Sequence, residues 1–163
     1  MRNKPLHSIS NPVDIRDQVG PRCSAYAASC LMRYEGKAAE PIALYKRFWK
    51  LADGSALPRS VGMKSGHRLR RNGSVEDIKK LIDSDKPVMV LFHYSLAEKG
   101  FDSLHYVLVT GYDEDNFYIA DSLFGGGKQY YNRIISRKDF VRLWDVSDLL
   151  LLRLLYGKNL YYL

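Results

Sequence analysis

The first half of the chain carries apolar residues at helical spacing. Between residues 23 and 35 they recur every three or four positions, and Gly36 supplies a plausible stop, so we predict one helix there. A second helix is predicted from Pro41 to about Leu51, because proline suits the first turn of a helix. Its apolar positions are expected to be core: Ile42, Leu44, Tyr45, Phe48 and Trp49.

A third helix is predicted to begin after Ser74, where a capping serine precedes early acidic residues and an apolar face. The segment before it, residues 52–73, is rich in Gly, Ser, Pro and Arg, which predicts an exposed loop. Its densest basic run, His67–Arg71, is interpreted as a solvated loop or helix end.

The second half changes to the pattern of a sheet. Four segments rich in β-branched and aromatic residues are predicted as strands: 87–93, 105–110, 116–120 and 148–152. The fold class indicated is therefore α+β, with helices first and an antiparallel sheet second.

An acidic loop centred on Glu114 joins two of these strands as a hairpin. An odd-numbered loop there pairs Asp121 with Val107. It places Asp121 and His105 on one face as diagonal neighbours at roughly 7 Å, so that their side chains could touch.

Length and composition indicate one ordinary globular domain. The chain has 163 residues, 46% of them hydrophobic and 26% charged. The longest apolar run, residues 149–156, is much shorter than the ~20 residues of a membrane helix, so membrane insertion is not expected. The first seven residues lack the apolar stretch of a secretory signal. We therefore expect a cytoplasmic protein, with delivery by a dedicated secretion route left open.

The net charge of +7 lies in the first half: residues 1–82 hold 16 Lys/Arg and 7 Asp/Glu, whereas residues 83–163 hold 9 and 11. No aromatic residues interleave with the basic run, and no nucleic-acid-binding motif is present, so a nucleic acid partner is not expected. The histidines His7, His67 and His93 show no metal-ligand spacing with each other or with the cysteines, which disfavours a metal site.

The two cysteines differ in their surroundings. If both lie on one helix, seven positions separate their backbones by ~10 Å, beyond the ~7 Å limit for a disulfide. Cys30 lies inside an apolar run and is interpreted as a buried small hydrophobic residue. Cys23 follows a Gly-Pro turn at the start of the helix, where partial positive charge stabilises a thiolate.

Attack of sulfur on a carbonyl requires a thiolate, an imidazole, a group that orients the imidazole, and donors for the oxyanion. The chain offers one candidate for each. Cys23 is the candidate nucleophile, His105 the base and acid, and Asp121 the orienting carboxylate. The side-chain amide of Gln18 and the Cys23 N–H are the candidate oxyanion hole. No cofactor is needed for this chemistry.

These segments resemble the papain-like cysteine peptidases. The stretch from Asp14 through Gln18 to Cys23 is similar to the papain segment in which a glutamine precedes the cysteine of the central helix. The strand from His105 resembles the histidine strand, and Asp121-Ser falls where papain relatives carry Asn-Ser-Trp-Gly. The resemblance implies a single domain over residues 1–163, with a helical lobe of about 1–83, a β lobe of about 84–163 and the cleft between them.

Three features depart from the papain pattern. An aspartate replaces the asparagine, as is usual in the related bacteriocin-processing peptidases. The spacing from Gln18 to Cys23 is one residue short, and Leu123-Phe124 lacks the tryptophan. The resemblance implies hydrolysis of a peptide or protein substrate through a thioester. An acyl transferase or deamidase with the same triad, and a non-catalytic binding module, stay open. The sequence does not specify an oligomeric state, and we expect a monomer.

Overall fold

The computed structural model describes residues 4–52, 56–94, 103–145, 158 and 160–162. Its helices are α1 Cys23–Tyr34, α2 Pro41–Arg47, α3 Pro58–Ser65, α4 Val75–Asp83 and α5 Arg137–Trp144. Its strands are β1 His7–Ser8, β2 Val13–Ile15, β3 Arg68–Arg70, β4 Val88–Tyr94, β5 Ser103–Tyr112, β6 Asn116–Ala120, β7 Gly127–Gln129, β8 Arg133–Ser136 and β9 Leu160–Tyr162.

A seven-stranded antiparallel sheet forms the centre of the molecule. Its order is β3-β9-β4-β5-β6-β8, and β1 also pairs with β5, while β2 and β7 form a separate two-stranded sheet. Helices α1 and α4 pack on β5, and α5 packs on β4. The predicted mixture of helices and antiparallel strands is therefore confirmed. The strand predicted at 148–152 lies outside the described residues.

Helix α1 begins at Cys23, as predicted, and its buried positions explain why it forms here. Eight consecutive residues, 24–31, are buried, and six of them are small: Ser, Ala or Cys. Small side chains allow the helix backbone to lie close to the strands that it covers. The helix is thus fixed through its middle, and its first residue is held at a defined place against β5.

The segment predicted as an exposed loop, residues 52–73, contains α3 and β3 instead. Pro58 begins α3, and Gly66 ends it with a left-handed φ of 76°. Gly62 lies so close to the following chain that an added Cβ would be 3.2 Å from the His67 carbonyl oxygen. His67 is buried, and Arg68–Arg70 pairs with β9, so the basic run is not a loop or helix end; its arginine side chains are nevertheless exposed to solvent.

The second helix is shorter than predicted, because α2 ends at Arg47 and Phe48 already has an extended backbone. Only part of its apolar set is core. Leu44 and Phe48 are buried, whereas Ile42 is 43% exposed and Trp49 is 50% exposed. The predicted core role is wrong for these last two side chains.

The β5–β6 hairpin reaches the predicted pairing by a different route. Tyr112 pairs with Phe117 across a four-residue loop rather than an odd one, because the Asp113 carboxylate accepts the N–H groups of the following turn. A bulge at Thr110 then shifts the register by one, so that Leu108 pairs with Ala120. The ladder continued by one step sets Asp121 opposite Val107, as the sequence predicted.

Candidate active site

Cys23 is the first residue of α1 and is half-buried. Its backbone N–H lies in the first helical turn, where N–H groups have no partner within the helix. Arg22 occupies the N-cap, and its side chain makes no capping hydrogen bond. The Cys23 Sγ is 4.0 Å from the carbonyl oxygen of Leu104, the residue before His105. The helix start therefore places the thiol beside the histidine strand.

His105 joins Cys23 to Asp121. The ring is buried in β5, and its Nε2 lies 2.7 Å from the Asp121 Oδ1. Burial opposes the charged form of the ring, but hydrogen bonds to Asp121 and Cys23 outweigh that effect and raise the His105 pKa to about 9. Near neutral pH the ring is thus a cation between two acceptors.

Asp121 is fully buried, yet it stays ionised because three groups contact its carboxylate. Burial alone would raise its pKa, but the His105 contact, the Leu123 N–H and the nearby Arg133 together lower it. The Leu123 N–H donates to Oδ1 at 3.0 Å, and Arg133 Nη1 donates to Oδ2 at 3.3 Å. Each carboxylate oxygen of Asp121 therefore has a hydrogen-bond partner within the protein.

The backbone of Asp121 is held as firmly as its side chain. Asn132 Oδ1 accepts the Asp121 N–H at 2.9 Å, and Asn132 Nδ2 donates to the Asp121 carbonyl at 2.6 Å. The same Nδ2 also reaches the Gly125 carbonyl at 3.0 Å. The loop after β6 is consequently fixed at both of its ends.

Gln18 is tied to the residue after Asp121. The Ser122 hydroxyl donates to Gln18 Oε1 at 2.9 Å, and the Gln18 N–H donates to the Ser122 carbonyl at 2.9 Å. The amide Nε2 donates to the Gly20 carbonyl at 2.6 Å, an oxygen that also accepts the Arg22 N–H. Gly20 adopts a φ of 65°, a left-handed conformation that would be strained for a residue with a side chain. The short loop thus turns back on itself between Gln18 and Cys23.

The structure therefore brings all four predicted residues into one region, around the N-terminus of α1. Sequence reasoning missed three residues that hold them: Ser122, Asn132 and Arg133. One signal for Arg133 exists, since β8 pairs it with Ile119, which shares a strand face with Asp121. Nothing local in the sequence distinguishes Asn132.

The second cysteine lies away from this site, in the buried part of α1. Burial raises the pKa of the Cys30 thiol to about 12, and the side chain packs in the hydrophobic core. Both cysteines are free thiols, as the sequence predicted. Chemistry at ordinary pH thus has one accessible candidate thiol.

The surface beside Asp121 is apolar where papain carries its tryptophan. Leu123 is 56% exposed and Phe124 is 43% exposed, and the Arg133 guanidinium lies 4.7 Å from the Phe124 ring centre. Arg133 therefore contacts both the buried carboxylate and an exposed ring.

Two further observations concern the described residues. None of their helices is long and apolar enough to cross a membrane. No three His, Cys, Asp or Glu side chains within these ranges are grouped in a way that could hold a metal ion.

Known proteins resemble this chain in fold and in sequence. The chain is similar in structure to a crystal structure from Bacillus anthracis, a protein itself assigned only provisionally as a C39-like peptidase. That similarity has a TM-score of 0.71, 15% sequence identity, and covers 96% of each chain, which shows a shared fold. No curated protein matches the sequence. The sequence profile of the Peptidase_C39-like family matches residues 12–148. The chain therefore belongs to the Peptidase_C39-like family, within the papain-like cysteine peptidase superfamily.

Proposed function

We propose that this protein is a cysteine peptidase that hydrolyses peptide bonds through Cys23, His105 and Asp121. The observation that supports it most directly is the His105 ring, which hydrogen-bonds to Asp121 through Nε2 and also to Cys23. Since Nε2 is engaged by the carboxylate, Nδ1 is the ring nitrogen available to the sulfur. Membership of a peptidase family suggests the same chemistry.

The first half-reaction forms a thioester. The Cys23 thiolate attacks the carbonyl carbon of the scissile bond, and the oxygen takes up negative charge. The Cys23 N–H and the Gln18 side-chain amide stabilise that charge. The C–N bond then breaks, and His105 Nδ1 gives its proton to the leaving amine.

The second half-reaction releases the acid. His105, now neutral, takes a proton from water while the water oxygen attacks the thioester carbon. The carbon–sulfur bond breaks, which restores the Cys23 thiolate, and the His105 ring is again an imidazolium. Asp121 holds the ring in one orientation through both steps, and its charge stabilises the imidazolium.

The papain arrangement is part of this proposal. The N-terminus of α1 supplies the nucleophile from one side of the cleft, and β5 with the end of β6 supplies His105 and Asp121 from the other. The predicted lobes, about 1–83 and 84–163, and the cytoplasmic location stay predictions.

The first test uses the two thiols as a matched pair. Limited iodoacetamide treatment near neutral pH, followed by peptide mapping, should modify Cys23 and spare Cys30. Cys23→Ala should lower hydrolysis of labelled casein by about 10³-fold or more, whereas Cys30→Ala should leave it near the original rate. Equal labelling of both thiols, or hydrolysis that survives Cys23→Ala, would contradict the proposal.

Product analysis separates hydrolysis from the related reactions. With peptide substrate in ¹⁸O-labelled water, mass spectrometry should find two fragments, with heavy oxygen in the new carboxyl terminus. An intact peptide with glutamine converted to glutamate would instead support a deamidase. A product joined to an added amine would support an acyl transferase.

A further inference from the structure

Among the described residues, Arg22, Lys50 and Lys64 have no acidic partner. Between Pro41 and Ser65 the sequence contains five Lys/Arg and one acid, Asp53. Asp53 lies outside the described residues, and among the described ones no carboxylate is within ion-pair distance of Lys50, Lys64 or Arg22. Among the described residues, no carboxylate neutralises the charge of these three cations.

Several cations elsewhere in the described part of the chain lie in ion pairs. Arg16 contacts Glu40 at 2.6 Å, and Arg33 contacts Asp14 at 2.8 Å. The same holds along the other faces, where ion pairs include Lys37–Glu35, Arg70–Asp77, Lys79–Glu76, Arg137–Glu76 and Arg142–Asp139. Arg22, Lys50 and Lys64 have no such ion pair among the described residues, a property that they share with Lys80 and Lys138 on α4 and α5.

Aromatic rings connect these cations into one surface. The Arg22 guanidinium lies 5.5 Å from the centre of the Tyr45 ring, and the Lys50 ammonium lies 4.8 Å from the same centre. Next along the chain, Trp49 is 50% exposed, and the Lys64 ammonium lies 5.5 Å from its ring. We call Arg22, Tyr45, Trp49, Lys50 and Lys64 the basic surface.

The basic surface extends directly to the candidate nucleophile. Arg22 is the chain neighbour of Cys23 and the N-cap of α1, and helices α2 and α3 both pack on α1. A ligand that contacts Arg22 therefore lies beside the N-terminus of α1, which begins at Cys23. Because Lys50 is exposed and Arg22 and Lys64 are half-buried, their attraction for a ligand should weaken as salt increases.

We propose that the basic surface binds acidic side chains of a peptide substrate that extends from the scissile bond over α2 and α3. The inference rests on the proposed function and adds a substrate class to it. Charge complementarity supports an acidic occupant. The exposed Trp49 ring adds apolar contact area of the kind that peptides use. A nucleic acid is less suited, since single-stranded nucleic acids stack successive bases on a series of aromatic rings, whereas the basic surface contains two, Tyr45 and Trp49.

The test measures binding without requiring hydrolysis. Cys23→Ala protein is titrated with fluorescein-labelled peptides of alternating Glu and Gly, with Gln-Gly and Lys-Gly peptides of equal length for comparison. The Glu-Gly peptide should bind most tightly, and raising salt from about 50 to about 200 mM should weaken it markedly. Equal binding of the Gln-Gly peptide would overturn the inference.

A matched pair of double variants locates the binding. Lys50→Gln/Lys64→Gln should weaken Glu-Gly binding by about 5- to 10-fold. Lys80→Gln/Lys138→Gln removes the same charge from α4 and α5 and should change binding by less than about 2-fold. Equal losses in both would mean attraction to net charge alone and would overturn the inference. Because Lys50 donates to carbonyls at the end of α2, Lys64→Gln alone is measured as well.

Two further readouts separate this inference from the proposed function. In unmodified protein, bound Glu-Gly peptide should slow iodoacetamide modification of Cys23. If Cys23 hydrolyses casein but the acidic peptide neither binds nor protects, the inference fails and the peptidase stands. If the peptide binds at the basic surface and Cys23 is inert, the peptidase fails. Tighter binding of a single-stranded oligonucleotide of matched charge would overturn the choice of a peptide.

Discussion

The side-chain amide of Asn132 makes two hydrogen bonds to the backbone of Asp121: it accepts from the Asp121 N–H and donates to the Asp121 carbonyl. Asn132 is buried, so water cannot readily replace either contact. The orientation of the Asp121 carboxylate toward His105 therefore depends on Asn132, which holds the Asp121 backbone.

Asn132→Ala should accordingly destabilise the fold and impair the site. Two backbone groups lose their partners, which should cost about 2–4 kcal/mol in the free energy of unfolding. Urea denaturation measures that loss, and casein hydrolysis should fall by a larger factor than the unfolded fraction explains. Asn11→Ala, at an exposed position, is the control. An Asn132→Ala protein with unchanged stability would contradict this account.

The pH profile of hydrolysis should report the raised His105 pKa. Protonation of the leaving amine needs the imidazolium, so kcat/KM should fall as pH rises through about 9. Asp121→Asn keeps a hydrogen-bond acceptor but removes the charge. The alkaline limb should then move down by about 1–2 pH units.

A comparison with Asp121→Ala distinguishes charge from position. The alanine variant loses both, so its kcat/KM should fall well below that of Asp121→Asn. If the alkaline limb stays near pH 9 in Asp121→Asn, another group sets it.

The free energy of unfolding should also depend on the titration of His105. The folded-state pKa of His105 lies above its ordinary value near 6.5, so the folded protein holds this proton more tightly than the unfolded chain. The resulting stabilisation is complete below about pH 6.5 and is lost as pH rises through about 9, with an upper bound of about 3 kcal/mol. Denaturation series should show this decline in the original protein and a smaller one in His105→Gln.

Gly126 separates the two loops that meet at the site. An added Cβ there would be 2.9 Å from the Ile15 carbonyl oxygen and 3.3 Å from the Asp17 N–H nitrogen. Gly126→Ala should therefore push apart the segment leading to Gln18 and the segment following Asp121. We expect a loss of about 1–3 kcal/mol in stability and about tenfold or more in kcat/KM.

Gly111→Ala is the matched control, because its Cβ would be 2.8 Å from the His7 carbonyl oxygen, another backbone clash. It should destabilise the protein by a similar amount while leaving kcat/KM of the folded fraction nearly unchanged. Equal losses of kcat/KM in both variants would show that general destabilisation explains the effect.

The sequence predicted those parts of the site that depend on local patterns. The start of α1 at Cys23 follows from a turn and an apolar periodicity. The contact between His105 and Asp121 is predicted from strand alternation across an odd loop, and the four-residue loop together with the bulge at Thr110 produces the same pairing. Both inferences use neighbours within about 16 residues along the chain.

The parts that were missed depend on distant partners. Helix α3 contains Gly62 and two serines, a composition with low helix propensity. The glycine is needed here because the chain at His67 packs closely against it, a contact that the local sequence does not reveal. Strand β3 pairs with β9, about ninety residues later, so its own three residues carry no strand signal. Ser122 and Gln18 meet across 104 positions, which no local pattern reveals.

Thr110 is the extra residue of the β5 bulge, and its hydroxyl donates to the Tyr118 carbonyl at 3.1 Å. If the hairpin register continued unbroken from Tyr112, Asp121 would stand opposite Leu108, and its side chain would leave the sheet on the face away from His105. The bulge at Thr110 therefore determines on which face of the sheet the Asp121 carboxylate lies. In a chain that held Thr110 as an ordinary paired residue, the strands could still form, yet the His105 imidazole would have no counter-charge on its own face of the sheet.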